Sequence, residues 1–113
     1  MRRYVANRKA KNHGEIVSAF EAFGCMVLDV ADHRTLGCDL VVYRQSGFFW
    51  GDPWTTRWVV TTIACEVKDS SKPPSARKLK PSEEKFRDRC RANGMPWALV
   101  ESVEDVKKLM EGA

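Results

Sequence analysis

No apolar stretch in this chain approaches the roughly 20 residues a membrane-crossing helix needs. No hydrophobic region follows the opening Met1-Arg2-Arg3-Tyr4 either, so no membrane partner and a cytoplasmic location are expected. Closely spaced cysteine pairs are also missing. Cys25, Cys38, Cys65 and Cys90 stand singly, which argues against a zinc knuckle or disulfide framework and leaves buried or half-buried free thiols as the expectation. Histidine is scarce: His13 and His33 are the only two, and neither they nor Tyr4 and Tyr43 form a group in sequence. A metal-independent RNA-processing endonuclease, which would work through His or Tyr, is therefore a secondary reading. Repeats, low-complexity segments, interdomain linkers and base-reading motifs are absent, so 113 residues imply one domain spanning 1–113.

What is present is ordinary in bulk, with 43% hydrophobic and 30% charged residues. The net charge of +4 favours a polyanionic partner only weakly. Residues 1–13 are basic without an apolar period and read as an N-terminal arm. Ile16, Phe20 and Phe23 then recur at helical spacing from Glu15, and Gly24 is a typical stop. Strands are expected at Cys25–Val30, Asp39–Arg44 and Trp58–Lys68, the last rich in β-branched side chains. The prolines of Lys72–Pro81 exclude helix and central strand there. A helix from Ser82 to about Ala92, a strand Trp97–Val100 and a final helix capped by Ser102 complete the chain. The order helix, three meandering strands, helix, strand, helix predicts an α/β (α+β) fold, a mixed sheet with helices on its faces.

Glu66-Val67-Lys68 ends the third strand. Alternation turns Glu66 and Lys68 to one face and Val67 to the other. A hairpin turning at Gly51-Asp52-Pro53-Trp54 pairs strands two and three so that Asp39 faces Glu66, with Cβ atoms about 4.5–5.5 Å apart. Two carboxylates so placed suit Mg²⁺, which keeps several waters and leans on substrate phosphate. Such an ion polarises a phosphodiester and acidifies a bound water, while Lys68 can orient that water or neutralise developing charge. Glu15, on the first helix, is a candidate third carboxylate. Lys72, Arg77, Lys78, Lys80 and Lys85 follow directly and are candidates for phosphate contacts. Each feature alone has a plainer reading: a strand-start turn, a solvated ladder of opposite charges, a helix-dipole acid, a solubilising loop. Their coincidence in one order and register is what points to chemistry.

The ordered set Gly14-Glu15, Gly37-Cys38-Asp39-Leu40-Val41-Val42, Cys65-Glu66-Val67-Lys68-Asp69, Lys72–Leu79 and Lys80-Pro81-Ser82-Glu83 resembles the PD-(D/E)xK nuclease superfamily. Within it, the chain is similar to the small stand-alone VRR-Nuc-type domains of phages and bacteria. The resemblance implies a restriction-endonuclease-like αβββαβ core with a C-terminal helix, a single nuclease domain in a bacterial or phage-infected cytoplasm. It implies Asp39, Glu66 and the Val67 carbonyl as Mg²⁺ ligands (Mn²⁺ substituting), Lys68 as catalytic lysine and Glu15 as auxiliary acid. It also implies branched or junction DNA as substrate. Two positions depart from the pattern. Cys38 replaces the usual proline, and Glu83 replaces a frequent glutamine, where a carboxylate would repel phosphate or bind a second ion. A catalytically idle nucleic-acid-binding module on the same fold is the alternative from another class.

Phe48, Phe49, Trp50, Trp54 and Trp58 crowd the hairpin of residues 45–58. Packing on the body of the chain is the plain expectation. A protruding arm forming a homodimer is the sharper one, and base stacking a third. His33 reads as a loop residue, with assistance to the metal or to proton transfer as the alternative.

Overall fold

Ile16 and Phe20 lie four positions apart, on one side of the first helix, and both are fully buried. A computed structural model of the chain describes residues 10–32, 37–49 and 57–112, the side chains of 46–49 and 57–59 excepted. The elements are α1 (His13–Ala22), β1 (Met26–Asp29), β2 (Leu40–Phe49), β3 (Arg57–Val67), α2 (Pro81–Ala92), β4 (Trp97–Val100) and α3 (Val103–Gly112). The four strands form one mixed sheet in the order β1-β2-β3-β4, antiparallel except for the parallel pair β3–β4. This is the expected mixed α/β fold, with three helices on a four-stranded sheet.

Alternation along β3 splits the core into two layers. Ile63, Cys65 and Val67 join Ile16, Phe20, Leu40, Val42, Val106 and Met110 beneath α1 and α3. Ala64, facing the other way, joins Val30, Cys38 and Cys90, with Phe86 and Trp97 against them, beneath α2. All four cysteines are buried free thiols that pack as small hydrophobes. Cys25 itself lies just ahead of β1, its N–H still bonded to Phe20 of the α1 terminus.

Ends and turns follow local chemistry. Gly24 takes φ +82° after α1, a conformation other residues enter at a cost. Ser102 Oγ accepts the Asp105 N–H at 3.2 Å, capping α3 as expected. Arg44 reaches the other end of α3 and donates to the Met110 carbonyl at 2.7 Å. The segment between β3 and α2 corrects the sequence expectation, because Pro74–Arg77 forms one 3-10 turn. Pro74 heads that turn, where a missing N–H costs nothing. The second strand is longer than expected, running to Phe49 past an irregularity between Gln45 and Gly47. Among the described residues no helix is long and apolar enough to cross a membrane.

Candidate functional site: a part-buried carboxylate cluster with one lysine

β2 pairs with β3 with Leu40 opposite Cys65, and the Asp39 N–H donates to the Cys65 carbonyl at 3.0 Å. One step outward, Asp39 stands beside Glu66, and its Oδ2 accepts the Val67 N–H at 2.8 Å. The aspartate is thus fixed by the backbone of the strand that carries the glutamate. A strand residue sends its N–H and carbonyl to the same edge, so the Val67 carbonyl is directed toward the Asp39 side. Val67's own side chain lies in the opposite core layer, 4% exposed.

The start of α2 closes the cluster. β3, α2 and β4 form a crossover between parallel strands, which carries the first turn of α2 back over the end of β3. Lys68 Nζ donates to Glu83 Oε1 at 2.9 Å and lies 3.8 Å from Glu66 Oε1. The same Glu83 oxygen accepts the Lys80 backbone N–H at 2.7 Å, as an acid in the first turn of a helix commonly does. Side-chain exposure is 5% for Glu66, 14% for Lys68 and 17% for Glu83. This is no solvated surface ladder.

Three carboxyl groups and one ammonium in a largely dry site cannot all keep their ordinary ionisation. Burial, then its contacts with Glu83 and Asp39, push the Glu66 carboxyl up to about 10, so it holds its proton at neutral pH. Burial by itself would raise Glu83 too. Hydrogen bonds from Glu66, the Lys80 N–H and Lys68 outweigh it and hold Glu83 below the usual range. Cys38, at the position where the resemblance expects proline, is pushed up to about 11 by burial and by the nearby Glu66 and Asp39. It remains a neutral thiol and adds no further charge.

Other residues singled out in the sequence fall in different places. Glu15 is exposed in the first turn of α1 and takes no part in the hydrogen bonds that join Asp39, Glu66, Glu83 and Lys68. Lys72, Lys78, Lys80 and Lys85 are exposed on the loop and first turns beside the cluster. Arg77 is half-buried, donating to the Lys72 carbonyl and to Glu101 Oε2, each at 2.8 Å, and so clamps the loop. Asp69 is a turn acceptor for the Ser71 N–H and hydroxyl. His33, Trp50 and Trp54 lie outside the described residues, as do the side chains of Phe48, Phe49 and Trp58.

Two contacts have no counterpart in the sequence reading. Asn12 Nδ2 donates to the Glu101 carbonyl at 2.7 Å and the Lys68 carbonyl at 3.3 Å, tying the start of α1 to the edge that carries the cluster. His13, buried, meets Asp29 Oδ2 at 3.0 Å and fixes the same helix start to β1. An asparagine before a helix ordinarily signals a cap; here its side chain is spent across the fold, which spacing cannot reveal.

Among the described residues no group of three or more His, Cys, Asp or Glu side chains is arranged to cage a metal ion. Asp39 and Glu66 supply two hard oxygen donors, the number with which Mg²⁺ is commonly held when water and phosphate complete its shell. The donor chemistry therefore fits a weakly held, substrate-completed ion rather than a structural one. Comparisons with protein-family models, with curated proteins and with solved structures find no match.

Proposed function

We propose that this chain is a Mg²⁺-dependent nuclease of the PD-(D/E)xK type, hydrolysing phosphodiester bonds on a restriction-endonuclease-like core. The observation that carries this reading is the buried Glu66 beside the half-buried Asp39, with the Lys68 ammonium next to them. Asp39 and Glu66 would hold the ion, with the Val67 carbonyl directed to the same side. When bound, the ion would supply Lewis-acid stabilisation of the phosphate and a more acidic water. Lys68 would donate hydrogen bonds to the attacking water or to the phosphate oxygen on which charge develops. Exposed Lys72, Lys78, Lys80 and Lys85 would contact neighbouring phosphates and position the strand without reading its sequence.

DNA of branched or junction shape is the substrate we favour, because no base-reading motif accompanies the site and the resemblance points that way. A homodimer through the hairpin of residues 45–58 would present two such sites to one nucleic acid; a monomeric mass at working concentration would remove it. Cleavage of labelled single-stranded, duplex, flap and four-way-junction DNA, with Mg²⁺, Mn²⁺ or EDTA, tests the main proposal. Metal-dependent cutting that Lys68→Ala abolishes is the expected result. Binding without cutting under either metal would replace the proposal with an idle nucleic-acid-binding module.

A further inference from the structure

The Lys68 ammonium is equidistant from neither of its acidic neighbours: it is 2.9 Å from Glu83 and 3.8 Å from Glu66. Glu83 is not free to follow it. Its Oε1 also takes the Lys80 N–H at 2.7 Å, which pins the carboxylate to the first turn of α2. The lysine is thus drawn toward the helix and away from the strand carboxylates. Without Glu83, the nearest acid to the ammonium is Glu66, and a full ion pair there would occupy the oxygen that a divalent cation needs.

We propose that Glu83 is a positioning residue that holds Lys68 off Glu66 and so keeps the Asp39–Glu66 pair open to a divalent cation. The proposal rests on the metal-site reading given above and assigns Glu83 a role within it. Glu66 and the Lys68 that follows the end of β3 are neighbours on one side of the chain, and with Glu83 removed an ionised Glu66 would pair with the ammonium directly. An acid fixed at the start of α2 separates them. Glutamine, the residue the resemblance expects, has a carbonyl oxygen that could accept both hydrogen bonds but carries no charge with which to compete for the ammonium.

Mn²⁺ titration of the nucleic-acid-free protein, followed by electron paramagnetic resonance of the free ion, tests this with no recourse to activity. Glu83→Ala should weaken Mn²⁺ binding by about tenfold, and Glu83→Gln by less, since the amide still accepts from Lys80 and Lys68. Glu83→Ala also removes the acid that answers the Lys80 N–H, so Glu83→Gln serves as the variant whose helix start is preserved. Lys68→Met removes the ammonium and keeps most of the stem. In that background the same Glu83 substitutions should cost less than about threefold, because no lysine remains to be held away. Equal losses with and without Lys68 would mean that Glu83 acts on the ion itself, and unchanged affinity in Glu83→Ala would mean that it does not act at all. Either outcome overturns the assignment while leaving the metal site standing. No Mn²⁺ binding by the wild type at millimolar concentration would remove both.

Discussion

Replacing Glu66 by glutamine should make the metal-free protein more stable, and by an amount that grows with pH. In the folded chain the Glu66 carboxyl is pushed up to about 10 by burial and by Glu83 and Asp39, whereas in the unfolded chain it titrates near its ordinary 4.5. A carboxyl raised in this way contributes its full stability below the unfolded value. That contribution drains away as pH rises, because the unfolded chain releases a proton that the folded chain retains, and the loss is complete near pH 10. Each pH unit inside that window costs about 1.4 kcal/mol. From pH 6 to pH 8 the wild type should therefore lose about 3 kcal/mol relative to Glu66→Gln. At about 4 °C per kcal/mol for a domain of this size, the difference in Tm should widen by roughly 10 °C. Glu83 titrates the opposite way. It is held below its usual range, so its contribution is present above that range and lost only in acid, outside the interval compared. Lys68, Asp39 and Cys38 are the other groups facing Glu66, and Cys38, pushed up to about 11, stays neutral throughout. Thermal melts of both proteins across this interval, without metal and with Mn²⁺, provide the measurement. Mn²⁺ should raise the wild-type Tm most at high pH, where the proton it displaces is held least firmly, and leave Glu66→Gln nearly unmoved. Parallel curves for the two proteins would refute the reasoning, since they would mean that Glu66 ionises alike in the folded and unfolded chain.

Asp39→Asn should retain the fold to within about 1 kcal/mol, because the amide oxygen can still accept the Val67 N–H, yet lower metal-dependent cleavage at least about a hundredfold. Chemical denaturation beside the nuclease assay separates the two effects. Gly37→Ala should destabilise by about 1–3 kcal/mol in urea melts: φ is +77° there, and an added Cβ would stand 2.6 Å from the Phe86 ring. In a Phe86→Ala background, which lacks the two nearest ring atoms, Gly37→Ala should cost less, leaving mainly the backbone part. Lys78→Ala, Lys80→Ala and Lys85→Ala should each reduce the salt slope of nucleic-acid binding by about one, whereas Arg77→Ala should loosen the loop it clamps and raise its protease sensitivity.

Much of the fold is legible in the sequence, for reasons that can be named. Ile16 and Phe20 sit at helical spacing, Ser102 is a capping residue before an apolar face, and Gly94 closes α2 ahead of the short strand Trp97–Val100. The pairing of Leu40 with Cys65 brings Asp39 beside Glu66 as alternation and the hairpin predict, but the pairs nearest the turn run one residue off that register, and only the irregularity between Gln45 and Gly47, which turn chemistry does not foretell, restores it. Local rules cover local features. They do not reach the partner of Lys68. By spacing alone Glu83 is one more acid in a first helical turn; the resemblance marks its position but not its pairing with Lys68, and the crossover from β3 through α2 to β4 brings it over the strand end. The third carboxyl of the cluster is consequently Glu83, while Glu15, at an equally suggestive position on α1, stays exposed. Arg77 is misleading for a similar reason. It lies among lysines that project to solvent, and its binding to Glu101 depends on where the end of β4 falls.

The charge count of the cluster bears on why a chain of this size would keep it. A buried ion pair rarely stabilises a fold better than apolar side chains of the same shape, and an unmatched buried charge is worse. Here Asp39, Glu66 and Glu83 face a single ammonium, so full ionisation would leave two negative charges unanswered in a site where Glu66 is 4% exposed. The metal-free fold meets part of this excess by keeping a proton on Glu66, which the pH argument above identifies as a standing cost near neutrality. A Glu–Lys pair retained for stability alone would have one acid, one base and no proton to hold. A set that leaves an excess of two is matched in charge by one divalent cation, and the oxygen donors of Asp39 and Glu66 are of the kind that Mg²⁺ takes. The arrangement is therefore costly as structure, and the proposed cation site would account for that cost.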